Sequence, residues 1–562
     1  MKGILIFDHL NDVLFTKCNN KFANHIQKLA KIQGLISENK DANDTDSKLN
    51  PNVIMQLFSP IVTSQHVMVS EFRNSYTSMR CHDGTNMVFD RFMGYTFIYI
   101  SMEEVELMKR TLGVCVSIIR HVCGPDIGMQ KVSLVSSLLD AWVHLRTNEQ
   151  SMLTEAIEQL SINTDLGVAI LKVLNDACDK LKSQSEFSNV HILILVEQKF
   201  LSLYSSKNAH DLYASDILLM VLMCWVVNQK RKGDNQSGTN GDNDDHSDIL
   251  LPEMTNLATS SGLYDSFHYL NVINGLQLQR DIDELKPAFE NFDLAIKKAL
   301  DGIKKNRANV SNDVDMCQRR LQLKWEFVRK KYMDLFKSRD PESILQIESN
   351  TSGFIDNMKE LYRLTCFDKN FLKQGVDVLT TVGRLVRQKL NDFSDFLKVK
   401  ATSLTINKYL EEFPGLVHFI YIDRTTHRLT APTLDFTNPE TLTLTTKKIW
   451  NMVKQSRMHL EEGHLSVMWK DTTFNYAYFL WFEDSSVTYL HHLMKNFPIP
   501  GIFCGDYYRK LAETCFPELS VNKIRIYELY CVHLGLATSS CVLEHSRRLA
   551  ATIWEVTGKV FF

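Results

Sequence analysis

The sequence predicts an α/β protein of three repeated modules, each running strand, strand, helix, three strands and then helices, joined by helical segments. Three observations carry this. Near the carboxy-terminal end, residues 417–422 (VHFIYI) are a β-branched and aromatic run, 423–427 supply turn-forming polar residues, and 428–434 return as a second short strand. The same order of elements is legible in the first 125 or so residues. A third hairpin, residues 191–196 and 200–204, is followed by an apolar helix, which is how the other two modules begin.

The elements follow in order from the amino end. Residues 3–7 and 13–16 form a candidate hairpin around a polar turn from Asp8 to Asp12. A helical stretch follows, broken at 38–50 by a polar segment too poor in apolar residues to join a core, and resumed at 52–62. Strands are predicted at 72–79, 87–92 and 95–100, then a helix at 103–121 ended by Gly124-Pro125. Helical periodicity from 129 to about 181 extends this first module, which gives it the bounds 1–185.

The middle module, 186–305, begins with the hairpin and the helix after Ser215. Residues 231–248 are a Gly, Asn and Asp tract that reads as a disordered surface loop. Only short strand-like pieces, at 267–270 and 276–279, precede the helical stretch 285–305. This departs from a complete module and reads as a trimmed one.

A helical linker is assigned to 306–405. Within it Leu321, Trp325, Val328, Tyr332 and Leu335 share one helical face, with Arg320, Lys324, Arg329, Lys330 and Lys331 on the remainder. A basic amphipathic helix of this kind can touch anionic lipid; the plain alternative is a solvated helix docked by its Trp face. The last module, 406–562, continues from its hairpin with apolar Leu444, Ile449, Met452, Val453 and Leu460 at helical spacing. Strands at 464–470, 474–482 and 486–491 follow, and helical periodicity returns in two or more segments from Gly505 onward.

Length and composition bound the function. At 562 residues the chain exceeds what one core organises, and roughly three to four domains are expected. A net charge of -3 gives no overall electrostatic case for nucleic acid or an anionic membrane as a partner. Twelve cysteines at irregular spacing, without C-x-x-C, suit a reducing compartment and imply neither a disulfide framework nor structural zinc. The longest apolar run, 217–227, is too short to span a bilayer core of roughly 30 Å. Neither a secretion signal nor a lipid anchor is expected, so a cytoplasmic protein that reaches membranes through partners is the expectation.

Two strings are more specific. Residues 409–434 read YLEEFPGLVHFIYIDRTTHRLTAPTL and 505–511 read GDYYRKL, with supporting stretches HILILVEQKFLSLYSS at 191–206 and VGRLVRQKLNDFSDFLKVK at 382–400. In these the chain resembles the tri-longin family of Rab exchange factors that includes the Hermansky-Pudlak syndrome type 1 protein. The resemblance implies that the modules are longin domains. It implies one half of a heterodimer, biogenesis of lysosome-related organelles complex three, whose other half resembles the Hermansky-Pudlak syndrome type 4 protein. It also implies guanine-nucleotide exchange on Rab-family GTPases serving organelles such as pigment granules, with peripheral recruitment to endosomal or lysosome-related membranes. In related exchange factors the first longin domains of both subunits pair and present the GTPase surface.

The residues themselves offer little covalent chemistry. No phosphate-binding loop, dinucleotide fingerprint, H-E-x-x-H or G-x-S-x-G occurs, and no cofactor or metal is expected. His491 and His492 are adjacent in a predicted strand and point to opposite sides, while His459 and His464 straddle a helix end as ordinary surface histidines. Asp506 reads as a first-turn carboxylate, with Tyr507 and Tyr508 packing on the sheet beneath. The one site suggested for a GTPase interface is the acidic turn, Asp8 and Asp12, placed to perturb a magnesium or phosphate site; the plain alternative is a solvated hairpin turn. Against exchange stand two other readings, a longin scaffold or adaptor without exchange activity, and a small-molecule enzyme of unrecognised type.

Overall fold

The computed structural model of the protein describes residues 2–36, 49–72, 74–124, 127, 132–160, 162–184, 190–207, 212, 214–236, 270, 273, 282–305, 312–340, 343–366, 369–402, 411–432, 434, 439–484, 489–490 and 505–557. It divides into two compact units. One joins Met1–Leu139 to Asp244–Asp377, the other Asp140–Asn243 to Val378–Phe562. Residues 140–184, attached by sequence to the first module, group in the structure with the second unit.

In the first unit the hairpin is β1 (Lys2–Phe7) and β2 (Val13–Cys18), followed by helices α1 (Asn20–Ile32) and α2 (Pro51–Ser70). Asn19 starts α1 by accepting the Phe22 amide at 3.0 Å, and Asn50 with Pro51 behind it starts α2. Three strands complete the sheet, β3 (Ser78–Arg80), β4 (Asn86–Phe92) and β5 (Tyr95–Ser101), in the order β2-β1-β5-β4-β3. Alternation sends Leu5, Phe7, Ile98 and Ile100 against Phe22, Ile26, Ile54 and Phe58 of α1 and α2. Helix α3 (Val105–Cys123) packs on β4 and β5.

The first predicted strand of this trio shrinks to three residues for a visible reason. Gln65 of α2 takes both backbone groups of Tyr76, accepting its N–H at 2.9 Å and donating to its carbonyl at 3.0 Å. That takes Tyr76 out of the ladder, which begins at Thr77, whose carbonyl accepts from the Phe89 amide of β4 at 3.1 Å. Helix α3 stops at Gly124 as expected. The glycine has φ +68°, and a Cβ there would sit 2.5 Å from the Tyr362 ring, so both conformation and space exclude a side chain.

The same unit holds α8 (Ile282–Lys305), α9 (Asn312–Ser338) and α10 (Ser343–Cys366), which here follow α4 (Val132–Asn148), α5 (Gln150–Thr154), α6 (Thr164–Gln184) and α7 (Ala214–Gln236) in chain order. On α9 the face formed by Leu321, Trp325, Val328, Tyr332 and Leu335 is wholly buried against Phe289, Phe292 and Phe354, and the Trp325 indole donates to Asp293 Oδ1 at 3.0 Å. The docked reading of this helix holds, and its Trp face has no area left for lipid. Leu270, predicted in a strand-like piece, is helical and lies in this cluster; the other residues of the pieces 267–270 and 276–279 fall outside the described residues, except that Ile273 between them is also helical. Helix α7 runs through Gln236, so 231–236 are helix rather than loop, and 237–248 lie outside the described residues.

The second unit holds a seven-stranded sheet and a separate two-stranded one. Its strands are β6 (Ile157–Glu158), β7 (His191–Val196), β8 (Lys199–Ser205), β9 (Leu416–Asp423), β10 (Arg428–Thr430), β11 (Ser466–Lys470), β12 (Phe474–Asp484), β13 (Tyr489–Leu490) and β14 (Ile524–Leu534). The order is β11-β12-β14-β9-β10-β6, with β13 on β12. Helices α11 (Lys369–Thr402), α12 (Pro439–Glu461), α13 (Gly505–Cys515) and α14 (Ser539–Thr557) belong to the same region of the chain.

Strand β14 corrects the sequence reading, which expected only helices after Gly505. IRIYELYCVHL is an eleven-residue strand between β12 and β9, antiparallel to both. Covered on both faces, it lacks the alternation that marks a half-exposed strand, and a continuous apolar run is ambiguous by period alone.

The middle hairpin, β7 paired with β8 as a sheet of its own, meets the larger sheet through an isolated parallel bridge between Gln159 and Phe200. The helical periodicity expected across 129–181 breaks at Glu155, which adopts a left-handed backbone (φ 54°) and releases the chain into β6. Strand β6 lies parallel to β10 on one side, and on the other the Leu160 amide donates to the Phe200 carbonyl of β8 at 2.8 Å. Modules two and three therefore share a strand segment from residues 157–160.

What fastens this seam is a buried charge pair. Arg424, in the turn after β9, donates through Nε to Glu528 Oε2 of β14 at 2.6 Å and through Nη1 to the Thr154 carbonyl at 2.9 Å. Glu528 Oε1 accepts from Tyr508 at 2.7 Å and Tyr478 at 2.8 Å, and the guanidinium lies over the Tyr508 ring. Both charged side chains are essentially inaccessible to water. Nearby, Gln150 Oε1 pairs with His418 Nε2 at 2.6 Å while Gln150 Nε2 donates to the Pro432 carbonyl at 3.0 Å.

Removing one partner strands the other charge without water. Arg424→Met or Glu528→Leu alone is expected to destabilise the protein by about 3–5 kcal/mol, measured as a shift in the urea unfolding transition. Wild-type midpoints in both variants would contradict the assignment.

Burial also holds three histidines neutral. It pushes His418 down to about 3, His427 down to about 3 beside Arg424 and Arg428, and His533 down to about 4 beside His545. An unfolded histidine takes up its proton near pH 6.5, so the unfolded state binds more protons as pH falls and stability drops from that point toward the folded values. Between pH 7.5 and 5.5 a loss of order 1 kcal/mol per histidine is expected, and a His418→Gln, His533→Gln variant should show a flatter profile in the same denaturation series.

Candidate functional site

The sequence places its candidate site in the β1–β2 turn, and there the local geometry is fixed. Asp8 Oδ1 accepts from the Leu10 and Asp12 amides, each at 2.8 Å, and the Asp8 amide donates to the Asp12 carbonyl at 3.0 Å. Asn11 takes a left-handed conformation (φ 69°) and its side-chain amide reaches Thr63 Oγ1 of α2 at 3.3 Å. Asp8 therefore spends one carboxylate oxygen shaping the turn. Asp12 is exposed, and between them Leu10 stands 68% exposed at the tip.

The structure brings α2 to the same rim. His66 lies beside Thr96, its Nε2 3.2 Å from the hydroxyl, and desolvation first, then Arg91 and His9, hold its pKa below the ordinary histidine value. Val67 on the next position and Phe72 just past the helix end are exposed. The rim thus presents a rigid acidic turn, an apolar tip and two histidine rings, His9 and His66. That inventory suits docking of a protein surface, and it contains no nucleophile with a base. Leu10 is the residue sequence reasoning missed here: an apolar residue set in a polar turn, directly before an asparagine, is a visible signal of a presented side chain.

The remaining candidates have structural uses. Tyr507 and Tyr508 of the GDYYRKL string are buried, as expected, and Tyr508 completes the shell around Glu528. His459 and His464 sit near each other and both lie by Glu462 at the exposed end of α12. His491 and His492 lie outside the described residues. On α14 Cys541 Sγ lies 3.6 Å from His545 Nε2, a spacing of four along the helix that the sequence displays and its reading passed over. Among the described residues no group of three or more His, Cys, Asp and Glu side chains converges to hold a metal ion. No helix among them is long and apolar enough to cross a membrane.

Comparison with known families matches three profiles in sequence order. Residues 2–150 match the first longin domain of FUZ, MON1 and HPS1, residues 187–291 the second, and residues 415–557 the third. The strand-strand-helix-three-strand sheet of the first unit and the β9–β14 sheet of the second fall inside the first and third of these spans. Together the profiles take in well over half of the sequence, and the chain belongs to the tri-longin family of FUZ, MON1 and HPS1.

Proposed function

We infer that the chain is one subunit of a heterodimeric guanine-nucleotide exchange factor for Rab-family GTPases in the biogenesis of lysosome-related organelles. Its partner is a subunit like the Hermansky-Pudlak syndrome type 4 protein, and it reaches endosomal or lysosome-related membranes peripherally. The observation that carries this reading is the presence of all three longin domains of the family in order.

Exchange asks for no covalent step. A factor that binds the empty GTPase better than the loaded one weakens nucleotide binding by linkage. A thousandfold faster release requires about 4 kcal/mol of that preference, within reach of a modest interface that displaces the loops around phosphate and magnesium. In this reading the first longin domain pairs with that of the partner and offers its β1–β2 rim to the GTPase. Asp12 faces the magnesium and phosphate region, Leu10 wedges against the displaced loop, and Asp8 holds both in place.

The test is release of fluorescent GDP from a panel of Rab proteins by the chain co-purified with its partner. Acceleration of at least one Rab is expected, lowered about tenfold by Asp12→Ala or Leu10→Asp, which leave the Asp8 hydrogen bonds in place. The Asp8→Ala, Asp12→Ala pair should lose more. Unchanged rates in these variants remove the turn from the interface, and no release from any Rab leaves the scaffold reading in its place.

A further inference from the structure

The start of α14 gathers a thiol and two imidazoles in a row. The Cys541 amide donates to Thr538 Oγ1 at 3.3 Å, which places Cys541 in the first turn, where the helix dipole favours an anion. One turn on, His545 lies against the half-buried thiol, with Sγ 3.6 Å from Nε2 and 3.8 Å from Nδ1. A small rotation of the ring therefore brings either nitrogen onto the thiol proton. Behind His545 stands His533 of β14, inaccessible to water, its ring centre 5.8 Å away at an interplanar angle of 33°. Neither nitrogen of His533 has a hydrogen-bond partner, which a buried imidazole ordinarily has. Two imidazoles joined by one N–H···N bond stand about 5 Å apart centre to centre, so a closure of about 1 Å gives His533 its partner in His545.

We propose that Cys541 is a reactive thiol that forms mixed disulfides with small-molecule disulfides, with His545 as its base and His533 positioning the His545 ring. His545 takes the proton from Sγ, and the thiolate attacks one sulfur of the disulfide. The new S–S bond forms as the old one breaks, and the departing thiolate takes the proton from His545. Burial keeps His533 neutral, so one of its nitrogens can accept from the second N–H of the His545 imidazolium and steady the charged ring. Exposed charges of both signs border the pair, Glu544, Arg547 and Arg548 on the helix and Glu412 next to Phe413, whose ring meets His545 edge-on at 5.6 Å. Being exposed and mixed, they are screened, and the direct contact with His545 decides. Other half-buried cysteines lack that aid: burial pushes Cys515 up to about 11, and raises Cys18 and Cys81 as well. No GTPase, nucleotide or partner subunit takes part, so this site is independent of the exchange-factor reading.

The test is incubation of the full chain with glutathione disulfide near neutral pH, with the rate at each cysteine read by peptide mass mapping. Cys541 is expected to react about tenfold faster than Cys18, Cys81 and Cys515. His545→Gln should slow Cys541 about tenfold at about pH 7, and the difference should close by about pH 9.5, where a thiol ionises unaided. His533→Leu should slow it about threefold with the same closing at high pH, since it acts only through the charged His545 ring. Two results overturn the proposal: wild-type Cys541 reacting no faster than the other three thiols, or a rate at neutral pH that His545→Gln leaves unchanged. A loss that is equal at both pH values also counts against it, because that is the mark of disturbed packing and not of a lost base.

Discussion

The second unit depends on a charge that has been taken out of water. Arg424 and Glu528 cost several kcal/mol each to desolvate, and their attraction offsets this only because most of the remaining donors and acceptors are also met. Arg424 meets them with the Thr154 carbonyl, Glu528 with two tyrosine hydroxyls. The pair is thus a device of register more than of net stability. Glu528 lies opposite Leu480 of β12 and Ile422 of β9, and a slip of one residue in either ladder would turn it to the other face of the sheet.

Because Arg424 also holds the backbone at Thr154, the same pair sets where the chain leaves α5 and enters β6. From there the sheet extends to the middle hairpin through Leu160 and Phe200. A hairpin of two strands is marginal alone, and β7 and β8 obtain a third partner only through this borrowed segment. The middle module, which reads from its own residues as trimmed, is therefore completed on one side by residues that precede it in sequence. Its other core contacts come from α6 and α11, whose Leu174 and Leu397 share a cluster with Leu201 of β8.

Much of this was legible in the sequence and the failures have physical causes. Hairpins at residues 2–18, 191–205 and 416–430 were readable because short apolar runs flank polar turns. Strand β14 was not, since burial on both sides removes the period-two signal, and its single carboxylate, Glu528, looks like a helical surface residue until Arg424 is seen beside it. The two signature strings marked the family correctly, yet their charged residue Arg424 and their Tyr508 serve the core. In the candidate rim, Asp8 and Asp12 could be placed in a turn from sequence alone. The division of labour between them could not, because it depends on which carboxylate the backbone amides of Leu10 and Asp12 reach.

Helix α9 shows how amphipathic patterning can name the right helix and the wrong face. Helical wheels rank faces by total hydrophobicity, so Trp325, Tyr332 and the leucines dominate, and the cations then read as their polar complement. Burial inverts the meaning. Once the strong face is spent on Phe289, Phe292 and Phe354, the cations no longer border it; they border the weaker line of Met316, Leu323 and Phe327. Three exposed apolar side chains are unremarkable when scattered, since much of any protein surface is apolar. Aligned at spacings of seven and four and flanked by lysine and arginine, they form a second, weaker amphipathic surface that is small enough to stay in water.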